Sequence, residues 1–468
     1  MRTKLFFLFT LLIFNVCAQQ NTIDITGQNI TGQWNGVLKV PGQSLKLVFH
    51  IQETDSGYTA TMDVPDQSTF GKPVTELSFE DNNLKISIQS LAIHYEGTLY
   101  NDTIKGTFKQ KGFPISLNLY KKEQKHPQEP QKPYSYYEEE VWFDNPTAPG
   151  TTLAGTLTLP NQQSVFPAVI LVSGSGAQNR DEEVFGHKPF LVIADYLTRN
   201  GIAVLRYDDR GTASSTGIHD TCSTYDFSTD AAAAFKYLQG RKEINPKQIG
   251  FIGHSDGGTI AQMVAARNKE VASIVLLAAP GIKGDSLMFL QRKLAVKKAL
   301  GANKKETEKM LNMRRRQDSI ILHTADTKQL ERNMTAFFEE YYEKQAPSLT
   351  PEEKEEAVRT EVRFFTSKFY QYLIKYDPAP TLAQVQSPVL ALNGEKDIQV
   401  PAEENLNAIE KILLEAGNTD ITIRKFPKLN HLFQTSQTGA VSEYAEIEET
   451  FSPEVLEIML NWLIEKSK

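Results

Sequence analysis

Hydrophobic and polar positions divide the chain into three kinds of pattern. Between residues 22 and 121, short runs alternate apolar and polar side chains, as in Leu45-Lys46-Leu47-Val48-Phe49-His50-Ile51 and Thr103-Ile104-Lys105-Gly106-Thr107-Phe108. A period of two marks strands with one wet face. Turn formers at Asp55-Ser56-Gly57, Asp81-Asn82-Asn83 and Asn101-Asp102 separate these runs. Their spacing predicts about eight short strands in a small antiparallel barrel or sandwich. Residues 122–140 are dominated by proline, glutamine and charge, which predicts a semi-stiff linker. From residue 141 the runs become almost wholly apolar: Ala168 to Val172, Ile202 to Tyr207, Ile249 to Ile252, Ala272 to Leu277 and Val389 to Leu392. Helical patterns lie between them, among them Phe190 to Leu197 and Thr229 to Leu238. Strands buried on both faces and alternating with helices predict a parallel sheet with crossover helices. Residues 282–385 interrupt the alternation with a Lys-, Glu-, Arg- and Leu-rich helical stretch whose aromatics cluster at Phe337 to Tyr342 and Phe364 to Tyr372. An insertion there belongs above the C-terminal edge of the sheet, where a lid would sit. Within it, Arg314-Arg315-Arg316 reads as a solvated helix face.

Composition narrows the classes. A chain of 468 residues has room for two domains, and 40% hydrophobic with 23% charged residues suits a globular protein. The formal charge of −7 comes without a basic block, so no nucleic-acid partner is expected. Residues 1–18 read as a signal peptide. Arg2 and Lys4 precede an apolar run from Leu5 to Phe14 that is too short to span a bilayer. Val16-Cys17-Ala18 then offers a cleavage site with Gln19 as the first mature residue; loss of Arg2 and Lys4 takes the charge from −7 to −9. Lipid anchoring through Cys17 is the alternative, with Phe14-Asn15-Val16 a poor match to the small residues such a site needs. The expectation is an exported protein, periplasmic or secreted. Two cysteines build no disulfide framework, and none has zinc-site spacing with histidine, so no metal or cofactor is expected.

The chemistry centres on Gly253-His254-Ser255-Asp256-Gly257, set between an apolar strand and the helical run Thr259 to Ala266. Gly-x-Ser-x-Gly between strand and helix is a nucleophile elbow: glycines admit the sharp turn, and the serine hydroxyl stands beside a helix N-terminus. Such a serine needs a base and an acid to orient that base. Asp397, in Asn393-Gly394-Glu395-Lys396-Asp397, directly follows an apolar strand, and His431 follows the next one. Ser255 is thus the candidate nucleophile, His431 the general base and Asp397 the orienting acid. Asp420 precedes its strand and lies at the wrong edge. His254 is expected to pack. The candidate oxyanion donors are the Asp256 N–H and one from Ser173-Gly174-Ser175-Gly176, with Gly176 ahead of Ser175.

Five segments carry a family likeness: Ser173 to Asp181, Arg206-Tyr207-Asp208-Asp209-Arg210-Gly211, Gly253 to Gly258, Gly394-Glu395-Lys396-Asp397, and Asn430-His431. Residues 141–468 resemble the α/β-hydrolase superfamily, in the branch of dienelactone-hydrolase-like esterases and prolyl-oligopeptidase-like serine peptidases. The resemblance implies an α/β-hydrolase fold with a helical lid insertion behind a small antiparallel β domain. It also implies cleavage of a small-molecule ester through an acyl-enzyme. Two positions depart from the family pattern: Ala213 stands where a glycine is common, and Asp256 where glutamate is usual. A serine peptidase of the same fold is the alternative. A binding protein with an inactive hydrolase fold is the third, and an intact Ser/Asp/His set argues against it.

Overall fold

A computed structural model describes residues 30–40, 43–54, 57–64, 69–110, 113–122, 126–161, 164–300, 304–347 and 349–468. The signal segment 1–18 with Cys17 lies outside the described residues, as do Asp55 and Ser56 of the first turn. Contacts divide the chain into two compact units: residues 1–125 with 331–364, and residues 126–330 with 365–468.

The first unit carries one antiparallel sheet of nine strands: β1 (Gly32–Val40), β2 (Gln43–Thr54), β3 (Gly57–Val64), β4 (Thr69–Pro73), β5 (Glu76–Glu80), β6 (Asn83–Ile88), β7 (Ile93–Tyr100), β8 (Thr103–Gln110) and β9 (Phe113–Lys122). Their order is β4-β3-β2-β1-β9-β8-β7-β6-β5. Alternation gives strands such as β7 a buried and a more exposed face, and Trp34, Phe49, Tyr95 and Phe108 meet in one core. The Trp34 indole N–H donates to the Ile30 carbonyl at 2.7 Å, which satisfies its one polar atom.

The second unit is a mixed eight-stranded sheet of order β10-β11-β13-β12-β14-β15-β16-β17. Its elements begin with β10 (Tyr137–Asp144), β11 (Thr152–Leu159), β12 (Phe166–Val172), α1 (Pro189–Arg199), β13 (Ala203–Tyr207), α2 (Thr224–Gln239), β14 (Ile244–His254), α3 (Asp256–Arg267) and β15 (Ile274–Leu277). β10 and β11 pair antiparallel, as do β11 and β13, and from β13 to β17 the neighbours are parallel. β10 starts at Tyr137, inside the stretch read as linker, because Tyr137 to Glu140 complete the ladder with Leu159 to Thr156. α2 starts five residues before the expected Thr229. Ser223 and Asp226 form a capping box that fixes its first turn.

The helical insertion comprises α4 (Gly284–Leu300), α5 (Lys304–His323), α6 (Thr327–Gln345), α7 (Pro351–Phe365), α8 (Lys368–Lys375) and α9 (Ala379–Leu382). Its residues 331–364 group with the β unit and the remainder with the unit of the eight-stranded sheet. Arg314 is buried and its guanidinium stacks over Phe365, so the arginine run is not uniformly solvated. The alternation closes with β16 (Val389–Gly394), α10 (Ala402–Glu415), β17 (Ile421–Phe426) and α11 (Pro453–Lys466). One face of the sheet buries Phe235, Val264, Ile409 and Leu413; the other buries Phe190, Ile193, Val455 and Met459. β13, β15 and β16 are buried along their whole length, which is why they read as unbroken apolar runs.

Candidate active site

β12 lies between β13 and β14. The chain passes from β12 to one neighbour and then crosses to the other, so strand order reverses at this point. Loops leaving the carboxyl ends of β12 and β14 diverge and leave a crevice, where open parallel sheets bind ligands. The loop after β12 is Ser173-Gly174-Ser175-Gly176, and the turn after β14 holds Ser255.

Ser255 has φ 53° and ψ −119°, a strained conformation for a residue with a Cβ. It persists because its surroundings leave no alternative. A Cβ at Gly253 would collide with the Gly257 carbonyl, and one at Gly257 with the Val172 carbonyl. The Ser255 N–H donates to the Leu277 carbonyl at 2.8 Å, and Gly258 N–H returns to the Ser255 carbonyl at 2.9 Å. Asp256 opens α3, so its N–H lacks an acceptor one turn back and stands at the positive end of the helix dipole, in a residue that lines the cleft.

Asp397 and His431 meet at the same edge. His431 Nδ1 lies 2.7 Å from Asp397 Oδ2, and both side chains are buried. The other carboxylate oxygen accepts the N–H groups of Gln399 (2.7 Å) and Val400 (2.9 Å). A carboxylate so supplied is an acceptor on both oxygens, which requires the proton on His431 Nδ1 and leaves Nε2 as a base. The two loops touch: Lys396 N–H donates to the Leu429 carbonyl at 3.1 Å, and a Cβ at Gly394 would clash with that same carbonyl. Asn430 braces the histidine loop by accepting the N–H groups of Leu432 and Gln434 at 3.0 and 2.9 Å. Asp420 is exposed at the far edge and pairs with Lys466.

His254 joins the turn that holds Ser255 to the loop that holds His431. Its Nε2 lies 3.0 Å from the His431 carbonyl oxygen, and the two rings are 4.8 Å apart. Among the described residues the Ser255 hydroxyl makes no hydrogen bond.

A cleft beside the serine is lined by Ser175, Gly176, Asp256, Ile260, Phe227 and Phe369. The Gly174 N–H is taken by Glu182 Oε1 at 2.7 Å. Among the described residues the N–H groups of Ser175 and Gly176 donate to no protein acceptor, and Gly176 sits at φ 103°, where glycine alone is unstrained. The continuation of this loop is tied to the end of β13. Arg180 N–H and Nε donate to Asp208 Oδ1 at 2.8 and 3.1 Å, and Gln178 N–H to Asp209 Oδ2 at 2.9 Å. Ala213, in the next turn, takes φ 46°, a backbone region that favours glycine, the residue that the resemblance led us to expect there.

Burial shapes the charges. Burial pushes the Asp256 carboxyl up to about 6, against the Thr224 hydroxyl, which donates to it at 3.0 Å. Burial pushes the Asp209 carboxyl well above the usual carboxylate range, against the hydrogen bond it accepts from the Gln178 N–H, and the residue lines the cleft.

A family model described as "alpha/beta hydrolase fold" matches residues 167–433, more than half of the chain. The chain belongs to the α/β-hydrolase family. This hydrolase is 26% identical over 280 residues to Esterase EstD of Thermotoga maritima, over 60% of its own length and 58% of the relative's. It therefore spans less than two thirds of that curated relative. Among solved structures, the Pyrococcus furiosus esterase Pf2001 is 15% identical, with TM-score 0.43, over 74% of this hydrolase and 98% of that chain. The proline iminopeptidase of Mycobacterium smegmatis is 16% identical, with TM-score 0.42, over 70% and 98%.

One group at the site is not legible in the sequence: Glu182 lies one residue beyond the Ser173 to Asp181 segment and carries no local signal, since its place comes from contacts distant in the chain. Phe369 belongs to the aromatic cluster Phe364 to Tyr372 expected in the lid, and it is the member of that cluster that lines the cleft.

Proposed function

We propose that this α/β-hydrolase cleaves carboxylic esters through an acyl-enzyme on Ser255. The His431–Asp397 contact, at the sheet edge that also carries the strained Ser255, is the observation that supports this reading most. His431 Nε2 takes the proton of Ser255 Oγ as that oxygen attacks the substrate carbonyl carbon. Asp397 keeps the Nδ1–H tautomer and stabilises the imidazolium. The N–H of Asp256, with that of Gly176 or Ser175, receives the developing oxyanion. Collapse expels the alcohol with the proton returned by His431, and water then releases the acid by the same steps. Phe369 on α8, which lines the cleft, supports a covering role for that part of the insertion. The esterase name of the relative fits this reaction.

A peptidase reading draws on one feature, the Asp256 carboxyl in the cleft wall, which could pair with a substrate amine. A panel of p-nitrophenyl esters and aminoacyl anilides separates the two. Ester turnover that disappears in Ser255→Ala is expected; faster anilide turnover would favour the peptidase. The charge and apolar run of residues 1–18 support export. N-terminal sequencing of the mature protein should begin at Gln19, and an intact Met1 would refute cleavage.

A further inference from the structure

Glu182 and His254 have no part in the mechanism above, yet both are buried at its centre, with side chains 4% and 8% exposed. One carboxylate oxygen, Glu182 Oε1, lies 2.7 Å from the Gly174 nitrogen and 2.9 Å from His254 Nδ1. On the other side of the ring, His254 Nε2 reaches the His431 carbonyl at 3.0 Å. A carbonyl oxygen only accepts, so Nε2 carries a hydrogen. With Glu182 ionised, Nδ1 carries one too, and the ring is an imidazolium held between two acceptors.

The connected parts matter more than the bonds themselves. Gly174 begins the loop that presents the Ser175 and Gly176 N–H groups, and a Cβ on Gly174 would stand 3.3 Å from that of Ser255. His254 precedes the nucleophile. His431 is the base. These parts come from three separate loops, and one hydrogen-bonded chain runs through all of them. A buried ion pair adds little net stability over an apolar pair of the same volume, so stability alone does not account for it.

We propose that Glu182 and His254 are positioning residues that fix the distance between the oxyanion donors and the His431 imidazole. This rests on the assignment of Ser255, Asp397 and His431 as the triad. The titratable groups facing His254 are Glu182 from the loop after β12, and Asp397 and His431 from the two last loops. Burial pulls the His254 pKa down, but the Glu182 charge and hydrogen bond, the His431 carbonyl and Asp397 together push it up. The imidazolium, with both its bonds, therefore persists to higher pH than for an ordinary histidine.

Removing the countercharge makes the device visible. Glu182→Gln is expected to lower kcat by about 10²-fold, since small misplacements of reacting groups cost that much, with KM little changed. Without the carboxylate, His254 loses its second proton earlier, so the alkaline limb of kcat should move to lower pH. Glu182→Asp should recover part of both, and the Glu182→Gln/His254→Asn double variant should be no worse than the poorer single one. The full chain is used throughout, with melting temperatures to establish folding. Should Glu182→Gln not fold, Glu182→Asp and His254→Gln carry the same kcat, KM and pH readouts. Folded variants with the wild-type kcat and alkaline limb would overturn the proposal, as would additive losses in the double variant. Ser255→Ala serves as the control. If it is inactive while Glu182→Gln is unaffected, only the positioning role fails; if it retains turnover, the triad reading fails and the positioning role with it.

Discussion

Replacing Asp397 with asparagine alters one atom and, through it, the tautomer of His431. Asp397 Oδ1 accepts two backbone N–H groups, from Gln399 and Val400, at 2.7 and 2.9 Å. Only an oxygen satisfies both, so the amide must place its NH2 toward His431 Nδ1, where Oδ2 now stands at 2.7 Å. That NH2 donates, so Nδ1 must accept and the ring proton moves to Nε2. The atom meant to take the Ser255 proton then has no lone pair. The number of hydrogen bonds is preserved, so the fold should hold and the loss should fall on kcat. A wrong tautomer in a serine triad costs about 10⁴-fold, or about 5 kcal/mol of transition-state stabilisation. The assay is steady-state hydrolysis of a p-nitrophenyl ester by Asp397→Asn, beside wild type at matched concentration, with a thermal melt of each. A folded variant that lost less than about tenfold in kcat would show that Asp397 does not set the His431 tautomer in turnover.

Other perturbations follow from the same structure. Gly257→Ala drives a Cβ into the Val172 carbonyl, so a loss on the order of 3 kcal/mol or more, or no soluble protein, is expected by urea denaturation. Asp256→Asn should stabilise the protein at pH 8 and much less at pH 4. The carboxyl titrates at about 6 when folded against the ordinary 3.8, so its contribution is present below the lower value and lost as pH rises through the upper one. That gap corresponds to about 3 kcal/mol at most, read by melts across pH, with the Asp256 N–H left in place. Asp230→Ala removes the partner of buried Arg210, held at 2.6 and 2.8 Å by its Nε and Nη2, and should cost about 3–5 kcal/mol in chemical denaturation.

The parts of this protein that were legible in its sequence are those whose cause is local. Unbroken apolar runs announced β12, β13, β15 and β16 because both of their faces are covered. The elbow glycines were readable because a strained Ser255 admits nothing larger on either side. The order of Ser255, Asp397 and His431 could be read because each follows the C-terminal end of a strand. What could not be read depends on distant pairing. Glu182 meets His254 across 72 positions of sequence, and neither residue signals the other. Arg314 looked solvated within a basic triplet, yet it is buried against Phe365, fifty-one positions away in the chain. The start of α2 is of the other kind: its cap, Ser223 with Asp226, is a local signal that the sequence does carry. The division of the insertion at residues 331 and 364 reflects packing that no helical period reports.

The claim on which the chemistry rests is that Ser255 is the activated nucleophile. A fluorophosphonate probe tests it directly: react the folded protein, digest it and map the modified residue by mass spectrometry. A single adduct on Ser255, formed in step with loss of ester turnover and greatly slowed in Asp397→Asn, is the expected result. Complete inhibition with the adduct on another residue, or active protein that takes up no probe at Ser255, would contradict it.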